Sequence, residues 1–445
     1  MKRNVVIIGG SAAGITAALT ARRHYPDAKI TLIRKEEKVP IPCGIPYIFG
    51  TLGSPEKNLM PEDPLIKNDI ELIIDEVVSI DRSSKAVKTK GGREIGYDKL
   101  ILATGSVPIV PPIPGVELGN VFTIKKDVNY LARILEALGE ARDVVIIGGG
   151  FIGMEIADEC CKRGNLNVTV VEMLPHCLAL VFEDELCVAA EEELSKRGAR
   201  IRTGEKAKAI VGDGKVEYVE LESGEKIKAD VVILAIGVRP NAELAKEAGL
   251  ELGPLGGVAV DRYMRTTDPD IFAVGDCAEK FDFFTGKPSP LRLASIATAE
   301  ARIAGANLFE LRRENKGVVG VFSTKIGDVA LGLAGIDERR AREAGIDFVV
   351  GVSESVDRHP GGMPGATPTK VKLVFRRYSG AIIGGCVRGG EGAGEMVNLI
   401  SAMIQSGMHA DQIALFQMGT HPALTASPVA YQIVNAAEIA LSQMR

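Results

Sequence analysis

The sequence predicts an α/β fold: two similar βαβ halves with parallel strands, then an α+β segment. Three observations carry this prediction. An apolar run ends in a glycine turn and leads into a helical pattern at "RNVVIIGGSAAGITAALTARRH". The same order returns at "RDVVIIGGGFIGMEIADECCKRG". From about Lys316 the pattern changes to hairpin-linked strands, "GVVGVFSTKIGDVALGLAG" and "TKVKLVFRRYSGAIIGGCV", accompanied by helices.

In the first half, Val5–Ile8 reads as a buried parallel strand. Gly9, Gly10 and Gly14 then open a helix that runs to about Arg23, and Lys29–Ile33 forms the next strand. Such a turn lets a pyrophosphate approach a helix N-terminus, where unpaired N–H groups and the dipole favour anions. Two positions depart from the usual pattern. Ser11 stands at the second glycine position, and Arg34 stands about 20 residues after Gly14, where an acidic residue should meet ribose hydroxyls. Glu36 and Glu37 are the nearby carboxylates that remain for that task.

The second half is cleaner. Gly148, Gly150 and Gly153 keep full GxGxxG register after the strand Val144–Ile147, and Glu172 ends the following strand 19 residues beyond Gly153. A carboxylate there accepts from both ribose hydroxyls and repels a 2′-phosphate. No Arg or Lys follows it directly, so NADH is expected over NADPH. "YDKLILATGS" and "ADVVILAIGVRPN" look like the same late strand in the two halves, an internal repeat. Next, "DIFAVGDCAE" ends a strand in Gly275-Asp276 before the helical "LASIATAEARIAGANL". Asp276 either binds a flavin's ribityl hydroxyl or caps its own turn.

Composition bounds the function. A chain of 445 residues suits two or three domains, and 46% hydrophobic with 25% charged residues is ordinary for a globular protein. A net charge of −5 gives no reason to expect nucleic acid. No apolar run reaches the roughly 18–20 residues of a membrane span. The start, "MKRNVVIIGGSAAG", reads as a mature cytoplasmic N-terminus, because its apolar patch is too short for a signal peptide. The seven cysteines show no CxxC spacing and no histidine cluster, so neither zinc nor a disulfide framework is expected, and an odd count suits a reducing compartment. One of them, Cys43 in "VPIPCGIPYIFG", lies among Pro40, Pro42 and Pro46. Gly44 beside it is expected to give a backbone path closed to other residues. By itself this is either a buried structural cysteine or a reactive thiol.

With "VIIGGSAAG", "LILATGS", "VVIIGGGFIGME", "ILAIGVRPN" and "IFAVGDCAE" together, the whole chain resembles the FAD- and NAD(P)-dependent pyridine nucleotide-disulfide oxidoreductases. The resemblance implies two Rossmann-like dinucleotide-binding domains plus a C-terminal α+β dimerisation domain. FAD-binding parts are expected at 1–112 and 244–316, an NAD-binding domain at 113–243 and the dimerisation domain at 317–445, in a homodimer. The dithiol branch carries CxxxxC, whereas position 48 here is Ile48. "PCGIPY" is similar to the single-cysteine branch, which contains coenzyme A-disulfide, coenzyme A persulfide and polysulfide reductases, NADH oxidase and NADH peroxidase. In that branch Cys43 would lie on the flavin face opposite the nicotinamide and alternate between thiolate and mixed disulfide or sulfenic acid.

Cofactor contacts implied in the FAD-binding parts are Gly9, Ser11, Ala12, Ala13, Gly14, Arg34, Val77, Ala103, Thr104, Gly105, Gly275, Asp276 and Ala294. In the NAD-binding domain they are Gly148, Gly150, Ile152, Gly153, Glu155, Glu172 and Gly237. The peroxide-reducing members carry a histidine in the first glycine turn; Ala12 occupies that place here. An Arg pair in the coenzyme A-disulfide reductases meets the coenzyme's phosphates, and Arg22 and Arg23, with Thr16 and Ala12, match those positions; alternatively the pair only complements the helix dipole. His421, in "MGTHPALTASP", resembles a catalytic base whose acidic partner is replaced by Ala426; the other reading is a capping or core histidine. Arg358 and His359, in the Pro/Gly-rich loop 356–368, are candidates for a substrate channel or are solvated loop residues. The implied activity is FAD-dependent, NADH-driven reduction of sulfur–sulfur bonds in coenzyme A disulfide, coenzyme A persulfide or polysulfide. The alternatives are an NADH oxidase or an electron-transfer reductase. The sequence shows no sulfur-transfer domain at its end, so an external sulfur carrier is expected.

Overall fold

The computed structural model describes residues 3–444. The chain forms two compact units. The first contains residues 1–112, 120–141 and 236–318, and the second residues 113–119, 142–235 and 319–445.

A five-stranded parallel sheet forms the centre of the first unit, in the order Ile271–Ala273, Lys99–Leu102, Asn4–Ile8, Lys29–Arg34, Glu71–Ile74. The middle strand is buried at Val5, Val6, Ile7 and Ile8, which is why it reads as a continuous apolar run. Helix Ala12–His24 packs on helix Ala294–Asn307 through small residues. A Cβ on Gly305 would lie 2.8 Å from the Ala17 carbonyl oxygen, so glycine sets how near the two helices come. An antiparallel three-stranded sheet, Val77–Asp81, Ala86–Thr89 and Glu94–Gly96, is inserted between the third and fourth strands in sequence.

In the second unit the same strand–turn–helix–strand order recurs. Arg200–Thr203, Asn167–Glu172, Asp143–Ile147 and Val231–Leu234 are neighbours in a parallel sheet. Val231–Leu234 pairs with Asp143–Ile147 as Lys99–Leu102 pairs with Asn4–Ile8, so the repeat read in the sequence is a repeat of topology. The C-terminal part is a five-stranded antiparallel sheet, in the order Val321–Ile326, Val329–Gly335, Ile382–Gly389, Pro368–Arg376, Phe348–Val356. Helices Ala393–Gln405 and Gln432–Leu441 pack on it. Asp337 caps helix Glu338–Glu343 by accepting from the Arg340 N–H at 2.8 Å. No helix among the described residues is long and apolar enough to cross a membrane.

Candidate active site

The two glycine turns are built alike. Gly9 and Gly148 have φ of +116° and +109°, and their N–H groups donate at 2.8 Å to the carbonyls of Ile33 and Val171, each one residue before the end of the neighbouring strand. A Cβ on Gly14 would lie 1.8 Å from the Gly9 carbonyl oxygen, and one on Gly153 would lie 1.9 Å from that of Gly148. Only glycine lets each helix start this close to its strand. Ser11 and Gly150 stand at the N-caps of helices Ala12–His24 and Phe151–Cys161, with no side-chain cap and no acidic residue in either first turn. Each N-terminus is therefore open to an anion. Ala13 and Ile152, both half-buried, lie in the first turns of these helices.

Around the first turn the unit gathers several of the residues predicted from the sequence. A Cβ on Gly9 would lie 2.1 Å from the Ala103 carbonyl oxygen. Thr104 Oγ1 donates to the Asn241 carbonyl at 2.6 Å, and Gly105 follows at φ +73°. Gly275, at φ +74°, comes up against Ala13, whose Cβ lies 3.0 Å from where a Gly275 Cβ would be. Asp276 accepts from Ser106 Oγ at 2.7 Å and pairs with Lys126 Nζ at 3.5 Å. Its bonds go to side chains of other segments rather than to its own turn. The Gly275 peptide is gripped from both ends, with its N–H on Glu300 Oε2 at 2.8 Å and its carbonyl taking Lys280 Nζ at 2.6 Å. Lys280 and Glu300 are themselves a buried ion pair at 2.9 Å. Ala294 is exposed at the start of its helix, and Val77 is half-buried at the start of the small antiparallel sheet. Sequence reasoning missed Ser106, Lys126, Lys280 and Glu300, which carry no motif of their own.

Arg34 is buried. Its guanidinium donates to the carbonyls of Glu36 and Glu37 at 2.8 and 2.7 Å and to the Glu62 carboxylate.

The Cys43 frame is a pair of short 3₁₀ turns, Pro42–Gly44 and Pro46–Phe49, anchored by the buried Ile45, Ile48 and Phe49. Segment 58–60 pairs with the stretch leading into it. The Ile41 N–H donates to the Asn58 carbonyl at 2.8 Å, the Asn58 Nδ2 returns a bond to the Ile41 carbonyl at 2.9 Å, and Met60 N–H reaches Val39 at 2.9 Å. Gly44 is not at positive φ, contrary to the expectation of a special backbone path. Glycine is required for space instead, because a Cβ there would lie 2.0 Å from Asn58 Oδ1. None of the seven cysteines forms a disulfide, and Cys43 is the exposed one. Burial pushes the thiols of Cys160, Cys187 and Cys386 up to about 12 and that of Cys161 up to about 11, and raises Cys177 and Cys277 as well.

On helix Ala12–His24, the half-buried Ala12 and Thr16 and the exposed Arg23 share one face at helical spacing. Arg22 is spent locally, donating to the carbonyls of Asn68, Pro26, Ala28 and Asp69 at 2.7–2.8 Å.

In the second unit both oxygens of Glu172 are held, by Gly149 N–H at 2.7 Å and Leu174 N–H at 2.8 Å. Glu155 accepts from Thr324 Oγ1 at 2.8 Å. Burial pushes its carboxyl up to about 7, with Glu159 adding to the effect and the Thr324 bond opposing it. Phe151 stacks on Phe322 at 5.6 Å and meets Phe182 edge-on. Gly237, which belongs to the first unit, sits at φ +107° and accepts from Ile109 N–H at 3.0 Å. Farther along the second unit, the exposed His421 accepts the Ala423 N–H on Nδ1 at 3.2 Å, so its neutral ring carries the proton on Nε2. His359 ties loop 356–368 to this stretch, with its N–H on the Pro422 carbonyl at 3.1 Å and Nδ1 at 3.0 Å from the Thr425 carbonyl. Arg358 turns back to the Pro364 carbonyl.

Residues 3–301 match the family described as Pyridine nucleotide-disulphide oxidoreductase, and residues 321–430 match its dimerisation domain. The chain belongs to this family. It is a flavoprotein oxidoreductase that uses FAD and NAD(P)H. It is 33% identical to an NADH oxidase of Methanocaldococcus jannaschii over 99% of both chains. It is 35% identical to an NAD(P)H coenzyme A polysulfide/persulfide reductase of Pyrococcus horikoshii, over 81% of this chain and 83% of that one. The solved NAD-dependent persulfide reductase from A. fulgidus superposes with a TM-score of 0.90 at 33% identity, covering 99% of this chain and 83% of that one. Two open helix N-termini, each behind a turn that a Cβ would fill, fit two dinucleotides.

Proposed function

We propose that the protein reduces sulfur–sulfur bonds in coenzyme A disulfide, coenzyme A persulfide or polysulfide, with electrons from NADH, through Cys43. The observation that carries this reading is the contrast among the cysteines. Cys43 alone is exposed, on a turn braced by three prolines and Asn58, while the other thiols are buried or, at Cys161, half-buried, and burial disfavours their ionised form.

Bound FAD supplies a hydride acceptor for NADH and a two-electron reductant for sulfur. The first glycine turn, with Gly275 and Asp276, holds that cofactor; Asp276 takes a ribityl hydroxyl and keeps its orientation through Ser106 and Lys126. The second turn and Glu172 hold NADH, the carboxylate being fixed for the ribose diol and against a 2′-phosphate. The Cys43 thiolate attacks one sulfur of the substrate, forming a mixed disulfide and releasing the other half as a thiolate or as sulfide. Two electrons then restore the Cys43 thiolate and release the second half as a thiol, so each NADH and one proton consume one sulfur–sulfur bond. Arg23 and Thr16 offer a charge and a hydroxyl on one face for coenzyme A phosphates; Arg22 shapes the helix end instead. His421, with its proton on Nε2, donates to a leaving thiolate.

The protein works as a homodimer in the cytoplasm. The C-terminal sheet matches the dimerisation domain, and Leu424 and Val429, next to His421, are 77% and 87% exposed, the kind of apolar surface a partner copy covers.

A relative named NADH oxidase supports a second reading, reduction of oxygen. Ala12 opposes it, since it brings no proton donor or charge to the first turn. Anaerobic NADH oxidation with each sulfur substrate, set against oxygen consumption, separates the two. A kcat/KM for oxygen above that for every sulfur substrate overturns the proposal.

A further inference from the structure

The last residue of the second strand in a dinucleotide turn is where a carboxylate normally accepts hydrogen bonds from the ribose hydroxyls of adenosine. Arg34 occupies that place in the first unit, at the end of strand Lys29–Arg34. A guanidinium has five donors and no acceptor, so it cannot take those bonds. Its side chain is only 1% exposed and lies against the glycine turn, with its Cδ 2.4 Å from where a Cβ on Gly10 would be. Two of its bonds go to the carbonyls of Glu36 and Glu37, which bend the chain around it. The third brings in Glu62 from 28 residues away.

We propose that Glu62 supplies the missing carboxylate for the adenosine ribose of FAD, held in place by Arg34. Only Oε1 of Glu62 is engaged by the guanidinium, and the side chain is 44% exposed, which leaves carboxylate surface for a ligand. Its main chain is fixed as well, because its carbonyl accepts from Leu65 and Ile66 N–H at 2.8 and 3.2 Å. A carboxylate bonded to a planar guanidinium is held in one orientation, which is what a ribose cis-diol needs. Of the two rivals in sequence, Glu36 has its carboxylate 4.0 Å from Lys35 Nζ, and the carbonyls of both Glu36 and Glu37 are on Arg34. The inference rests on FAD binding by the family and not on the sulfur substrate, so either can fail without the other.

The test compares flavin release from the full-length holoprotein, read by flavin fluorescence on dilution, for FAD and for FAD whose adenosine lacks the 2′- and 3′-hydroxyls, in wild type, Glu62→Ala, Glu62→Gln and Glu36→Gln. Wild type should hold FAD about ten- to a hundredfold more tightly than the deoxy analogue, as charged hydrogen bonds allow. Glu62→Ala should lose most of that preference by weakening FAD alone, Glu62→Gln should lose part of it, and Glu36→Gln should keep it. Equal weakening of both flavins in Glu62→Ala means that Glu62 only supports the fold, and it overturns the proposal. So does loss of the preference in Glu36→Gln with Glu62→Ala unchanged.

Discussion

Asn58 fills the space that a side chain at Gly44 would need: its Oδ1 lies 2.0 Å from the place of a Gly44 Cβ, while its Nδ2 donates to the Ile41 carbonyl at 2.9 Å. One buried amide thus fixes both flanks of Cys43. Gly44→Ala should displace the turn and lower kcat/KM for the sulfur substrate by about tenfold or more, with FAD still bound. Asn58→Ala should cost about 1–3 kcal/mol of stability, because the Ile41 carbonyl loses a buried partner. The double variant should be less impaired in turnover than the two single losses combined, since removing the amide relieves the alanine. Strict additivity in steady-state kinetics refutes the steric account.

Cys43→Ser should still bind FAD and still be reduced by NADH, as neither step needs the thiol. Turnover of disulfide or persulfide should fall by orders of magnitude, because a hydroxyl is a far weaker nucleophile at neutral pH and forms no mixed disulfide. Stopped-flow flavin reduction and anaerobic turnover read the two halves separately. A variant that keeps most of its sulfur reduction makes the thiol structural.

Glu172 should make kcat/KM higher for NADH than for NADPH. Glu172→Ala removes the acceptor and the charge, and should lower that ratio by about tenfold. Steady-state kinetics with both nucleotides decide it; a wild type that favours NADPH contradicts the assignment.

Glu155 gives a pH signature. Its folded-state carboxyl lies near 7, above the ordinary value of 4.5, so between these values the folded chain holds a proton that the unfolded chain has released. Stability therefore falls as pH rises from about 4.5 through 7, by about 3 kcal/mol at most. Glu155→Gln has no proton to lose. Its melting temperature should gain on wild type between pH 5 and pH 8, and a constant difference across that range counts against a raised carboxyl.

Leu424 and Val429 test the dimer. Changing both to Glu should shift sedimentation from dimer to monomer and cut turnover with sulfur substrates, while leaving the flavin bound. A fully active monomer rules out a shared site.

Much of this was legible in the sequence because glycine turns, apolar runs and strand-end acids are local. Gly9, Gly14, Gly148, Gly153 and Glu172 announce themselves through spacing alone, and the matched "LILATGS" and "ILAIGVRPN" fixed the repeat. What escaped depends on distant segments meeting. Asn58, Lys126 and Glu62 approach Ile41, Asp276 and Arg34 across 17 to 150 residues, and no periodicity marks such a meeting. The Arg pair shows a second limit. Two adjacent arginines on a helix are indistinguishable in sequence, yet one is bonded to four carbonyls and the other faces outward.

A catalyst that works among polysulfides is bathed in a reagent that attacks thiols, its own included. Burial of Cys160, Cys177, Cys187, Cys277 and Cys386, together with the suppressed ionisation of the half-buried Cys161, leaves this chain a single entry point for sulfur. If the chain acts on sulfur as proposed, stray sulfane atoms would accumulate where the next turnover removes them, and the housekeeping of the protein would become part of its catalytic cycle.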